Sequence, residues 1–81
     1  MSDTAILVKL TEILRDIFDN YSLVVTLETT ALDVPGWDSI AQINLLTAVE
    51  AEYGIEFSAR EMDQLLNIGD LVSAVARHTR R

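Results

Sequence analysis

Few side chains in this sequence could do chemistry. Asp38-Ser39 falls inside Gly36-Trp37-Asp38-Ser39-Ile40, where a helix should begin, and the sole histidine, His78, lies near the other end. A serine nucleophile needs a general base within reach and donors for an oxyanion. His78 is near the end of the last helical segment, where a helix frays. Asp38 is adjacent to the serine, but neighbours at a helix start do not face each other, and a solvated carboxylate is a poor base for a hydroxyl. Nor does Trp37-Asp38-Ser39-Ile40-Ala41 match a Gly-x-Ser-x-Gly elbow. Autonomous hydrolase chemistry is therefore not expected, and the chain reads as a non-enzyme. There is no cysteine, so the polypeptide supplies no thiol, disulfide or Cys-based metal site. Asp33, Asp38 and Asp63 lack the spacing of a calcium loop and read as solvated loop or cap residues, so no metal is expected. Gly36 and Gly54 read as backbone punctuation, and no Gly-rich phosphate loop is present.

Two readings of Ser39 remain. In the first it is a helix cap, with Gln42 completing a Ser-x-x-Gln box. Alternatively Asp38 is the cap and Ser39 lies in the first turn, its hydroxyl turned outward and available to another enzyme. Asp caps at least as well as Ser, so local energetics do not choose between them.

The elements that must position this serine are helical. Ile6, Leu7, Leu10, Ile13, Leu14, Ile17 and Phe18 recur at helical spacing, with Lys9, Glu12, Arg15 and Asp16 on the other face, which predicts a helix over residues 3 to 18. Asp3 suits its N-terminus. Residues 19 to 38 show no sustained helical period and contain the only proline, Pro35, followed by Gly36. They read as a long loop whose apolar residues, including Leu23, Leu27, Leu32 and Val34, are expected to pin it over the helices. Leu23 to Leu27 would pass locally for a strand, but nothing else in the chain offers it a partner.

A second helix is predicted from Ser39 to Tyr53, with Gly54 as its stop signal. Ser58-Ala59-Arg60-Glu61 is a capping box opening a short helix to about Gln64. Asn67 can cap a last helix carrying Leu71, Val72, Val75 and Ala76, with Arg77 and His78 suiting its C-terminal dipole.

The second helix carries two apolar stripes where a small bundle needs one. Leu45, Leu46, Val49 and Tyr53 form the first and read as core. Ile40, Ile43 and Thr47 form the second. It either stays exposed for a partner or belongs to a broad buried face, and the habit of small bundles favours burial.

Size and charge limit the function. With 81 residues, 49% of them hydrophobic, the chain has room for one core, so a single domain over residues 1–81 is expected. No apolar run approaches a membrane span, and the first residues do not read as a signal peptide, so a cytoplasmic protein without membrane insertion is expected. Thirteen acidic against six basic residues give a net charge of -7, and residues 1–76 alone reach -10. Nucleic acid is an unsuitable partner for such a surface, whereas a protein with a basic patch suits it.

Asp38-Ser39-Ile40 after a long loop, followed by Glu50-Ala51-Glu52-Tyr53-Gly54-Ile55-Glu56-Phe57, resembles an acyl carrier protein, and the resemblance covers nearly the whole chain. It implies an all-α four-helix bundle of three main helices and one short one, with a long loop between helices one and two. It implies a monomer whose Ser39 receives 4'-phosphopantetheine from coenzyme A through a phosphopantetheinyl transferase, and whose arm then holds an acyl or aminoacyl thioester. An acyl-loading ligase or acyltransferase and synthase-type enzymes would be further partners. Asp38, Ile40, Ile43 and Thr47 match positions that touch partners, which reverses the expectation of burial for the second stripe. The other reading is a non-catalytic helical interaction domain with Ser39 as a cap.

This sequence departs from the family pattern in one respect. Fatty-acid carriers typically place acids early in the second helix, and here those positions are Ala41 and Asn44, while Glu50 and Glu52 are retained. With Gly36-Trp37 before the motif, this is more similar to discrete carriers of polyketide, aminoacyl or other specialised pathways than to a carrier of fatty acid biosynthesis.

Overall fold

Ser2, Asp38, Ser58 and Asn67 each stand one residue before a helix, and each side chain accepts a backbone N–H from three residues on: Ala5, Ala41, Glu61 and Asp70, at 2.8 to 3.1 Å. These caps satisfy N–H groups that no helix can bond internally, and so they divide the chain. The computed structural model describes residues 2–80. Among them run α1 (Asp3–Ile17), α2 (Ser39–Tyr53), the short α3 (Ala59–Asp63) and α4 (Ile68–Thr79), with one 3-10 turn, Ala31–Asp33, in the long connection and no strand. The all-α bundle of three main helices and one short one follows the sequence expectation, with α1 ending one residue earlier and Ser2, not Asp3, as its cap. Gly54 stops α2 at φ 64°, a left-handed conformation that disfavours a residue bearing Cβ.

α1 packs on both α2 and α4. Ile6, Leu10 and Leu14 face inward from α1, Leu45, Leu46 and Val49 from α2, and Leu71, Val72 and Val75 from α4, all buried in one cluster that also takes in Phe57. Burial of these stripes supplies most of what holds such short helices, which would be marginal alone.

The long loop is held differently from the expectation. Val34 is buried and Leu23 is packed against the core, but Leu27 is 43% exposed and Leu32 99% exposed, while Val25, not singled out in the sequence, is buried. Part of the pinning is done by the backbone. The Leu27 and Thr29 carbonyls accept the Gly69 and Ile68 N–H groups at 2.7 and 2.9 Å, and the Leu23 carbonyl accepts Arg15 Nε–H at 2.9 Å. The loop thereby satisfies the first two N–H groups of α4, and Asn67 takes the third. This close approach is why residue 69 is glycine: a Cβ there would come within 2.9 Å of the Leu27 oxygen. Thr29 is the buried polar residue of the loop, and its hydroxyl accepts the Thr26 N–H at 2.9 Å.

α3, five residues long, has too few turns to stand alone. Its capping box closes as the sequence implies, Ser58 N–H donating to Glu61 Oε1 at 2.9 Å. The other oxygen of Glu61 receives His78 Nε2–H from α4 at 2.7 Å, and the His78 ring meets Phe57 edge-on at 5.4 Å. His78 therefore serves as an anchor for α3.

Two outcomes follow for stability. Val49→Ala should lower it by about 1–3 kcal/mol, because the buried methyls leave a cavity, whereas Ile43→Glu at an exposed site should leave the thermal midpoint nearly unchanged; the opposite ranking in thermal melts would mean that the two faces of α2 are exchanged. The Ser58 backbone N–H, and then His78, hold the Glu61 carboxyl below its ordinary value of 4.5. A carboxyl lowered on folding contributes stability above its unfolded value, and that contribution is lost as pH falls through the folded one. Glu61→Gln should thus melt below wild type at neutral pH, and the gap should close as the pH is taken below the carboxyl range.

Candidate functional site

The choice left open at the start of α2 is made by Asp38. Its Oδ1 accepts the Ala41 N–H at 2.9 Å, and its backbone is extended, as a cap requires. Ser39 is the first residue of the helix, is exposed, and its hydroxyl makes no hydrogen bond among the described residues. The Ser-x-x-Gln box does not form. Gln42 Oε1 instead accepts the Trp37 indole N–H at 2.7 Å, and Trp37 packs beside Phe18 with ring centroids 5.8 Å apart.

Ser39 opens onto a groove of about 560 Å³. Trp37, Gln42 and Ile43 line it on one side and Leu66 and Asn67 on the other, and it reaches down to the buried Leu45, Ile68 and Leu71. His78, Glu61 and Phe57 are not among its lining residues. Among the described residues no group of three or more His, Asp or Glu side chains gathers as for a metal ion, and no helix is long and apolar enough to cross a membrane.

α2 does carry two separate apolar faces. Leu45, Leu46 and Val49 are buried and Tyr53 is packed against the core, whereas Ile40 is 69% exposed, Ile43 is 63% exposed and Thr47 is exposed with them. The inward habit of small bundles fails here because Leu45, Leu46 and Val49 already fill the side facing α1 and α4. Asp38 lies at the start of the outward face. Glu50 is only half-buried and has a structural task, its Oε2 accepting the Phe57 N–H at 2.8 Å, while Glu52 is exposed. Trp37 and Gln42 are among the groove residues that sequence reading did not place at the site, with Thr29 and Leu66 from other segments; for Gln42 the spacing three residues after Ser39, on one helix face, was the available signal.

The bundle thus presents an uncommitted hydroxyl beside an apolar groove, with His78 engaged by Glu61. Comparison with known proteins makes this specific. Residues 8–75 match the model of the phosphopantetheine attachment site family. An acyl carrier protein of Clostridium perfringens is 30% identical over 73 residues, covering 90% of this chain and 96% of its own. One of Clostridium acetobutylicum is 28% identical over 71 residues, covering 88% and 92%. The solution structure of the holo acyl carrier protein from Geobacter metallireducens superposes with a TM-score of 0.84 at 42% identity, covering 89% of this chain and 83% of that one. The chain belongs to the acyl carrier protein family. Its prosthetic group is accordingly phosphopantetheine, and it is a carrier acted on by a phosphopantetheinyl transferase and by acyl-processing enzymes, not a catalyst.

If Asp38 alone caps α2, Asp38→Ala should cost roughly 1 kcal/mol and Ser39→Ala almost nothing. Denaturant melts of the two variants check this, and an equal loss for Ser39→Ala would give the serine a share of the cap.

Proposed function

We propose that Ser39 is the attachment point of the phosphopantetheine arm, and that the chain holds acyl groups there as thioesters and presents them to successive enzymes. The observation that carries the reading is the division of tasks at α2: Asp38 takes the cap, so the Ser39 hydroxyl is exposed and unspent. An anion joined at this position sits at a helix N-terminus, where the dipole and free N–H groups favour negative charge. Ser39 needs no base of its own. In the loading step its oxygen bonds to the phosphorus bearing the pantetheine chain, the pyrophosphate of coenzyme A breaks, adenosine 3',5'-bisphosphate leaves, and the hydroxyl proton passes to the transferase. Once bound, the arm supplies the thiol that this cysteine-free chain lacks.

Asp38, Ile40, Ile43 and Thr47 form the surface that partners touch, and the acidic chain around it favours enzymes with basic docking patches. The apolar floor of the groove supports an acyl cargo over an aminoacyl one, whose ammonium would lose hydration there. Ala41 and Asn44 in place of early acids support a specialised pathway, such as one making a polyketide, over fatty acid biosynthesis. Loading with a panel of acyl and aminoacyl ligases tests this, and acceptance by the fatty-acid malonyl transferase alone would overturn it.

Intact-mass measurement after incubation with coenzyme A and a broad-specificity phosphopantetheinyl transferase tests the attachment point. Wild type should gain one phosphopantetheine and Ser39→Ala none. No gain in wild type, or a gain retained in Ser39→Ala, would leave Ser39 as a helix residue of an interaction domain.

A further inference from the structure

Gln42 has one half of its carboxamide committed and the other half free. Its Oε1 receives the Trp37 indole N–H at 2.7 Å. An indole nitrogen has a hydrogen to give and no lone pair to offer, so the atom facing it must be the oxygen, and the Gln42 NH2 is turned away from it. Trp37 is held in place: it packs against the core, its ring lies 5.8 Å from that of Phe18, and its backbone N–H donates to the Val34 carbonyl at 3.2 Å. The indole thus fixes the orientation of the carboxamide.

Gln42 lines the groove that holds Ser39. It is half-buried, and no buried side-chain nitrogen or oxygen among the described residues lacks a partner, so Nε2 is accessible rather than sealed in. Residues three apart share a helix face, and helical side chains lean toward the N-terminus, so the Gln42 side chain and Ser39 lie on one face of α2. Asn67, the other carboxamide in the groove, spends its oxygen on the Asp70 N–H as the cap of α4. Gln42 caps no helix; its oxygen goes to the Trp37 indole, and its NH2 makes no hydrogen bond among the described residues.

We propose, on the reading that Ser39 carries the arm, that Gln42 is a positioning residue: its Nε2–H donates to a non-bridging oxygen of the phosphodiester on Ser39, with Trp37 holding it in the donor orientation. An N–H bond to an anionic oxygen is among the stronger neutral-donor bonds. Asp38, like-charged with that phosphate, is occupied by the Ala41 N–H and offers it no donor side chain. The root of the arm is then fixed at the mouth of the groove, and its outer end starts from a defined direction.

The test uses the full chain, isotope-labelled and loaded with unacylated phosphopantetheine, with loading verified by intact mass. On conversion to the loaded form the Gln42 side-chain NH2 resonances should move strongly downfield, while those of Asn44, exposed on the same helix, should move little. Gln42→Glu keeps an oxygen for the Trp37 N–H but has no donor, so emission from the single tryptophan of the unloaded protein should stay as in wild type while the 31P resonance of the loaded form shifts. A Gln42 shift no larger than that of Asn44 in fully loaded protein, or an unchanged 31P resonance in Gln42→Glu, would overturn the proposal with the Ser39 assignment intact. Absence of the mass increment would sink that assignment, and this proposal with it.

Discussion

One carboxylate oxygen, Asp38 Oδ1, receives the Ala41 N–H at 2.9 Å and sets where α2 begins. Because the aspartate does this, the residue after it enters the helix in the first turn with its hydroxyl unspent. Had the serine supplied the cap, its oxygen would have been drawn back onto the backbone and could not serve as a handle for another enzyme. The same rigid helix then distributes its apolar residues by the 3.6-residue period. Leu45, Leu46 and Val49 turn toward α1 and α4, while Ile40, Ile43 and Thr47 continue outward from Ser39. The exposed Ser39 hydroxyl and the outward apolar face are thus held in register by a single element.

The long connection shows how so small a core can support an irregular segment. Val25 and Val34 are buried and Leu23 and Trp37 pack against the core, but Leu27 and Leu32 between them are exposed, so hydrophobic contact holds the loop only at its two ends. What fixes it is the accounting of backbone donors at the start of α4, where loop carbonyls satisfy the N–H groups that the helix leaves open. That arrangement requires glycine at position 69 and brings Thr29, Thr30 and Ala31 to the wall of the groove. The groove is therefore built by two polar constraints, the α4 start and the Trp37–Gln42 contact, around an apolar floor.

The electrostatics suit a protein handed between partners. The cations of α1 are engaged within the chain, Lys9 beside Glu12 at 3.3 Å and Arg15 on the Leu23 carbonyl. Glu52 is exposed and Glu50 is occupied by the Phe57 N–H, so acids that look equivalent along the helix are not equivalent in space. An acidic field of this kind speeds encounter with a basic surface, and Ile40 and Ile43 are the exposed apolar side chains beside Ser39.

The helices were legible in the residues because their signals are local: Ser58 with Glu61, Asn67 ahead of Leu71 and Val72, and Gly54 after Tyr53 act within one turn of chain. The resemblance around Asp38-Ser39-Ile40 likewise carried the family, since that motif is contiguous. What the sequence could not decide were matters in which two elements compete for one side chain. Asp38 and Ser39 were equally good caps on paper, and only the folded entry into α2 assigned the task. Leu27 and Leu32 were as apolar as Val25 and Val34, and only the path of the backbone over α4 determined which reached the core. Gln42 belonged by pattern to a capping box, yet Trp37, held against α1, took its oxygen. Local propensity and periodicity act along the chain, so the sequence by itself determined the elements and the family; the partners of individual polar atoms depend on segments distant in sequence arriving together, and those only the tertiary structure decided.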